Sequence, residues 1–164
     1  MKSSIRKGFG FGLTSGIIAT LGMMIGLNQG THSASVVLAG ILLIAITDAL
    51  SDAVAIFMAD EAELQTQSSI WQEALSTFFS KFLIGALFAL PVILIDLRQA
   101  LILSVSFGLI LIVTISYFIA KNEKRPVLKI VLGHLGVTIA VILVSGFVGR
   151  IAENIKEHNF FLRL

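Results

Sequence analysis

The sequence predicts an all-α membrane protein with five transmembrane helices joined by short loops. Of its 164 residues 56% are hydrophobic and only 13% are charged, whereas soluble domains carry about 25% charged residues. A helix needs about 20 apolar residues to cross the hydrocarbon core, so this length allows at most about five or six spans. We therefore expect a single transmembrane domain over residues 1–164, integral to the lipid bilayer.

The five apolar runs that define the predicted spans cover residues 8–27, 34–59, 75–95, 100–120 and 127–149. A basic head precedes the first run, which we expect to be a span rather than a cleaved signal peptide because it is long and rich in glycine. An amphipathic tail, residues 150–164, follows the last run, and we expect it to lie at the membrane surface.

Lysine and arginine set the predicted orientation. They are concentrated in the basic head, residues 1–7, and in the loop and helix start at residues 121–129. With five spans these two regions lie on the same side, which is cytoplasmic by the positive-inside rule. We therefore expect a cytoplasmic N-terminus, an external tail, and a location in the plasma membrane of a prokaryotic cell.

The composition excludes several classes of function. The chain has no cysteine, which rules out disulfides, thiolate metal sites and cysteine nucleophiles. It has no basic stripe with interleaved aromatic residues, so we expect no nucleic-acid partner. Because it has no phosphate-binding loop and no conventional metalloenzyme motif, we expect neither enzymatic activity nor a bound cofactor.

Two aspartates interrupt the second predicted span. Asp48 and Asp52 are four residues apart, so both project from one face of a helix. A carboxylate at the bilayer centre costs roughly 2.5–3.5 kcal/mol on insertion scales, and such acids usually mark ion pathways. The pair therefore predicts a cation site. Oxygen ligands suit a hard or borderline divalent ion such as Mn²⁺ or Fe²⁺.

Other polar side chains are predicted to lie at a similar depth. Ser15, Lys81 and His134 fall, like Asp52, roughly 9–11 Å inside the cytoplasmic boundary at 1.5 Å rise per residue, and we expect them to converge. Lys81 either snorkels to the interface or pairs with Asp52 and leaves Asp48 as the exposed ligand. His134 is either a packing residue or a further ligand and proton relay.

Glycine is frequent in the first span, with Gly12 and Gly16 four apart and Gly22 and Gly26 repeating that spacing. Small residues four apart let two helices approach closely, within the chain or at a dimer contact. Glycine also permits a helix to unwind around a transported ion. Both interpretations are open from the sequence.

Four segments carry a resemblance to a known family: residues 12–22 (GLTSGIIATLG), 48–53 (DALSDA), 77–91 (TFFSKFLIGALFALP) and 146–150 (GFVGR). They resemble the vacuolar iron transporter family, over essentially the whole chain and with five spans in the family order. The resemblance implies a homodimer, joined through span one, that exports Fe²⁺ or Mn²⁺ from the cytosol and is driven by protons. It also implies an ion path formed by spans one and two.

The chain departs from the family pattern at two positions of this path. Ser15 stands where the family usually has an aspartate, and Asp52 stands where it commonly has a methionine. The acid looks relocated from span one to span two. We therefore expect Asp48 and Asp52 as the metal ligands, Ser15 as a supporting oxygen and His134 as a further partner.

A second departure is length, because the large cytoplasmic metal-binding insertion that some members carry between spans two and three is missing. The acidic residues that remain there are Asp60, Glu61, Glu63 and Glu73. They are either a remnant acidic entrance, with Glu61 and Glu63 as outer metal ligands, or a solvated helix end, the interpretation we favour. Two further alternatives to a coupled exporter are an uncoupled cation or proton channel and a non-transporting scaffold with structural ion pairs.

Overall fold

The computed structural model describes residues 3–161, and the chain is helical over most of this range. The helices are α1 (Ser3–Thr31), α2 (Ala34–Ala62), α3 (Gln67–Leu87), α4 (Ala89–Leu94), α5 (Leu97–Asn122) and α6 (Val127–Phe161). Five stretches are long and apolar enough to cross a membrane, and α3 and α4 together form the third of them. The predicted set of five membrane-length helices is confirmed. The cytoplasmic placement of the N-terminus stays a prediction.

The helices extend beyond the predicted apolar runs. The third begins at Gln67 rather than near residue 75, and the last continues to Phe161. The amphipathic tail is therefore, over residues 150–161, the end of the last helix, because no proline follows Pro126. Residues 162–164 of that tail and residues 1–2 of the basic head lie outside the described residues.

The third span is interrupted once, at Phe88. Pro91 lies one turn later and has no backbone N–H to donate to the Leu87 carbonyl. The backbone tightens there, and the Phe88 N–H donates to the Gly85 carbonyl at 3.1 Å. The span therefore divides into α3 and the short α4, and Phe88 itself is buried in the core.

Helix α1 is the centre of the bundle and contacts α2, α3, α5 and α6. One series of its glycines faces α3 and the other faces α6; they are Gly8, Gly12 and Gly16, then Gly22, Gly26 and Gly30. A Cβ atom on Gly12 would lie 2.5 Å from the Thr77 carbonyl oxygen. Because α1 is continuous over 29 residues, these glycines serve close packing within the chain, and the predicted unwinding is not observed. The homodimer through this span stays a prediction.

The core lies between α1, α2, α3, α4 and α5, where Ile17, Leu21, Val37, Ile41 and Ile112 are fully buried. Large apolar side chains also cover the outside of the bundle, among them Leu43, Leu143 and Phe147. In water such a surface would favour association, whereas it matches a hydrocarbon surrounding. The last helix is the most peripheral, because only 6% of its most apolar stretch is buried inside the bundle.

Candidate cation site

Lys81 of α3 lies between the two aspartates of α2. Its ammonium nitrogen is 2.6 Å from Asp48 Oδ2 and contacts Asp52 Oδ2 as well. The lysine side chain is only 3% exposed, so it does not snorkel to the interface. Pairing with Asp52 was one of the two expectations and is confirmed. The expectation that Asp48 would stay unpaired is wrong, because one ammonium reaches both carboxylates.

Ser15 of α1 completes this group. Its hydroxyl accepts a hydrogen bond from Lys81 Nζ at 2.9 Å and donates one to Asp52 Oδ2 at 3.0 Å. The hydroxyl can reach the lysine because α1 and α3 are in close contact here. A Cβ atom on Gly16, the next residue, would lie 3.2 Å from Lys81 Cγ. The glycine spacing of α1 therefore positions the serine.

Three helices thus bring together Asp48, Asp52, Lys81 and Ser15, and we call these four side chains the Lys81 group. The predicted convergence of Ser15, Lys81 and Asp52 is confirmed. The ammonium lies inside, whereas the side chains of Asp48 and Asp52 are 31% and 23% exposed. Two carboxylates against one ammonium leave one negative charge uncompensated. Chemically the group can take up a further cation or proton at oxygen atoms that reach the outside of the chain.

His134 of α6 does not join this hydrogen-bonded group. Its Nδ1 atom lies 2.8 Å from Ser116 Oγ of α5. The ring lines a groove of about 500 Å³ between α1 and α6, and Ser15 lines the same groove. The imidazole therefore shares a groove with Ser15 and has a hydroxyl partner of its own in Ser116. Its assignment as a metal ligand stays a prediction.

Glu61 and Glu63 lie far from the group, at the exposed end of α2. At 1.5 Å rise per residue they are roughly 14–16 Å beyond Asp52 along the helix axis. Both side chains are exposed, as a solvated helix end predicts, and their assignment as outer metal ligands stays a prediction. For the two other acids of the segment the solvated helix end is wrong, because Asp60 and Glu73 are buried.

Among the side chains that the structure describes, no group of three or more histidine, aspartate or glutamate residues gathers closely enough to hold a metal ion. One chain therefore offers two carboxylates and a hydroxyl at the Lys81 group, which is fewer oxygen ligands than a divalent ion normally takes. A complete coordination sphere here needs water or a second copy of the chain.

Sequence reasoning missed the burial of Asp60 and Glu73. A signal was present for Asp60, because it follows Asp52 by eight residues and so lies near the same stripe of α2. For Glu73 no comparable signal exists, since its burial depends on contact with α1. The polar composition of residues 64–74 favoured a solvated segment.

Comparison with known proteins gave no match: no family model fits the chain, and neither curated proteins nor solved structures are significantly similar to it. The resemblance to the vacuolar iron transporter family accordingly stays a prediction that rests on the four quoted segments. The functional argument depends on the geometry of the Lys81 group.

Proposed function

We propose that this chain is a membrane transporter that exports Fe²⁺ or Mn²⁺ from the cytosol in exchange for protons. The observation that carries the proposal is the Lys81 ammonium held between Asp48 and Asp52 within membrane-length helices. Ionisable groups within a membrane-spanning helix are costly and usually belong to substrate or proton pathways. An apolar helix would span the membrane without them.

The charges of the group supply a mechanism for coupling. With both carboxylates ionised and Lys81 protonated, the group carries one negative charge. A divalent metal bound to Asp48 and Asp52 would leave one positive charge, unless Lys81 released its proton, in which case the charges would balance. A buried lysine changes its protonation state readily, unlike an arginine. The metal and the protonated Lys81 ammonium would therefore compete for the same two carboxylates, and the proton released on metal binding would come from Lys81.

We also propose that the chain works as a homodimer, and the exposure of the carboxylates supports this. Acidic side chains within a membrane face the protein interior or a water-filled cavity rather than lipid. Asp48 and Asp52 are partly exposed on the outside of a single chain, so a second copy or a water-filled path would have to cover them. Since the α1 glycines pack inside the chain, the outer face of α2 is the better-suited part of such a contact. Two copies would bring four carboxylates together.

A scaffold without transport is the second candidate, and one observation favours it. Lys81 already contacts both carboxylates, so the group could serve only as a structural ion pair. Removal of one partner from a buried pair leaves the other charge unpaired and is destabilising. The scaffold therefore predicts changes in stability alone. The exporter predicts changes in metal flux in folded protein.

The test is a flux assay in proteoliposomes with Mn²⁺ and Fe²⁺, in which internal pH is recorded at the same time. Asp48→Asn and Asp52→Asn should leave folding intact by circular dichroism and lower metal flux by about tenfold or more. Asp96→Asn is the matched control, because Asp96 is exposed and makes no side-chain cap to α5. Flux that survives in the double variant at the control rate would refute the site. Metal flux without opposite proton movement would favour the uncoupled channel.

A further inference from the structure

A second pair of acids lies at the end of the bundle where α1 begins and α2 ends. Asp60 of α2 and Glu73 of α3 have side chains that are 5% and 6% exposed. The ammonium of Lys7, from the first turns of α1, is 2.8 Å from Glu73 Oε1 and 3.7 Å from Asp60 Oδ1. Two buried carboxylates thus share one amine.

Asp60 is incompletely satisfied in this arrangement. Its Oδ2 atom is buried and has no hydrogen-bond partner among the described residues. The 3.7 Å separation between Oδ1 and Lys7 is longer than a hydrogen bond. A buried carboxylate is costly unless it is hydrogen-bonded, paired or coordinated to a metal. The free oxygen therefore points to a ligand beyond Lys7.

The Lys7 ammonium is free to move away from Asp60 and Glu73. Its side chain is 65% exposed, whereas the Lys81 side chain is enclosed between its carboxylates. Lys7 also lines a cavity of about 240 Å³ whose wall includes Glu123, so a displaced ammonium has water and an alternative carboxylate within reach. Here the acids are buried and the amine is exposed, which is the reverse of the Lys81 group.

We propose that Asp60 and Glu73 form a second divalent-cation site, which the Lys7 ammonium occupies when no metal is bound. Carboxylate oxygens select hard or borderline cations such as Mn²⁺, and water would complete the coordination once Lys7 has moved. Glu63 is exposed and close enough to interact electrostatically with Lys7, so it adds negative charge beside the site. The site does not depend on transport through Asp48 and Asp52.

The test is equilibrium binding of Mn²⁺ to the purified full chain in detergent, with free Mn²⁺ measured by electron paramagnetic resonance. Asp48→Asn and Asp52→Asn are both introduced first, so that the Lys81 group does not contribute. In this background, Asp60→Asn should weaken Mn²⁺ binding by about tenfold or more. Lys7→Gln should tighten it by about tenfold, because it removes the competing positive charge. Asp96→Asn again controls for the loss of one carboxylate.

The proposal is overturned if Asp60→Asn binds Mn²⁺ as tightly as Asp96→Asn, or if Lys7→Gln leaves the affinity unchanged. The Lys7→Gln comparison is repeated in the otherwise unaltered chain, where tighter binding is also expected, so the test does not rest on the folding of the aspartate variants. Loss of flux in Asp48→Asn with Mn²⁺ binding retained at Asp60 would leave both proposals standing. Normal flux in the unaltered chain, together with no Mn²⁺ binding in the background variant, would overturn this one alone.

Discussion

Replacement of Lys81 by methionine separates a structural ion pair from a cation site. The substitution keeps an unbranched side chain in the space between α1, α2 and α3 and removes the ammonium that contacts Asp48 and Asp52. It also removes the donor to Ser15 Oγ. Two carboxylates then lie one helical turn apart with no compensating charge between them. Both hypotheses predict a less stable protein, and they differ in what added metal does.

The expected loss of stability follows from burial. Breaking a buried ion pair by removing one partner costs about 3–5 kcal/mol. Here the lysine is enclosed, whereas roughly a quarter of each aspartate side chain is exposed, and solvent around the carboxylates reduces the penalty. We therefore expect Lys81→Met to lower the free energy of unfolding by about 2–3 kcal/mol.

Manganese should restore this loss if the group binds cations. A ligand that binds only the folded state adds about 2.7 kcal/mol at a free concentration one hundred times its dissociation constant. In Lys81→Met the metal meets two free carboxylates and no proton has to leave. In the unaltered chain it competes with the ammonium, so stabilisation at the same Mn²⁺ concentration should be smaller. Thermal unfolding in detergent, followed by circular dichroism over a Mn²⁺ titration, measures both effects.

Lys129→Met is the control, because it makes the same chemical change at an exposed position of α6. Both variants keep Asp60 and Glu73, so any Mn²⁺ bound there affects them equally. If Lys81→Met is as stable as Lys129→Met, the ion pair does not stabilise the fold. If Mn²⁺ stabilises the two variants by the same amount, the cation-site argument for Asp48 and Asp52 is refuted.

Two further predictions concern the packing of α1 and the part played by the imidazole. Gly12→Ala should lower stability by about 1–3 kcal/mol, since its Cβ would meet the Thr77 carbonyl. The control is Gly133→Ala, whose Cβ would lie in open space, so this variant should be neutral or stabilising by up to about 1 kcal/mol. Equal thermal stability of Gly12→Ala and Gly133→Ala would contradict close contact of α1 with α3. His134→Gln tests whether the imidazole is a ligand: if His134 only pairs with Ser116, Mn²⁺ affinity should change by less than about twofold. A tenfold loss would make His134 a ligand.

Hydropathy and local spacing were sufficient for the membrane helices and for the aspartate pair. A spanning helix satisfies its own backbone hydrogen bonds, so an apolar run of sufficient length determines it without reference to the rest of the chain. The four-residue interval between Asp48 and Asp52 puts both on one face for the same local reason. Helix ends were less predictable. An apolar run marks the membrane core, whereas α3 and α6 continue through polar residues that still form helix.

The partners of the charged groups were decided by the tertiary structure. That Lys81 reaches both aspartates depends on the approach of α1 and α3 at glycine contacts, and on the side of α2 that faces them. The burial of Asp60 and Glu73 depends on the packing of α1, α2 and α3, and their ion partner Lys7 is far from both in sequence. The sequence alone identified which residues are costly to bury. Only packing determined which opposite charge offsets that cost, because such pairs form between helices and no local periodicity encodes them.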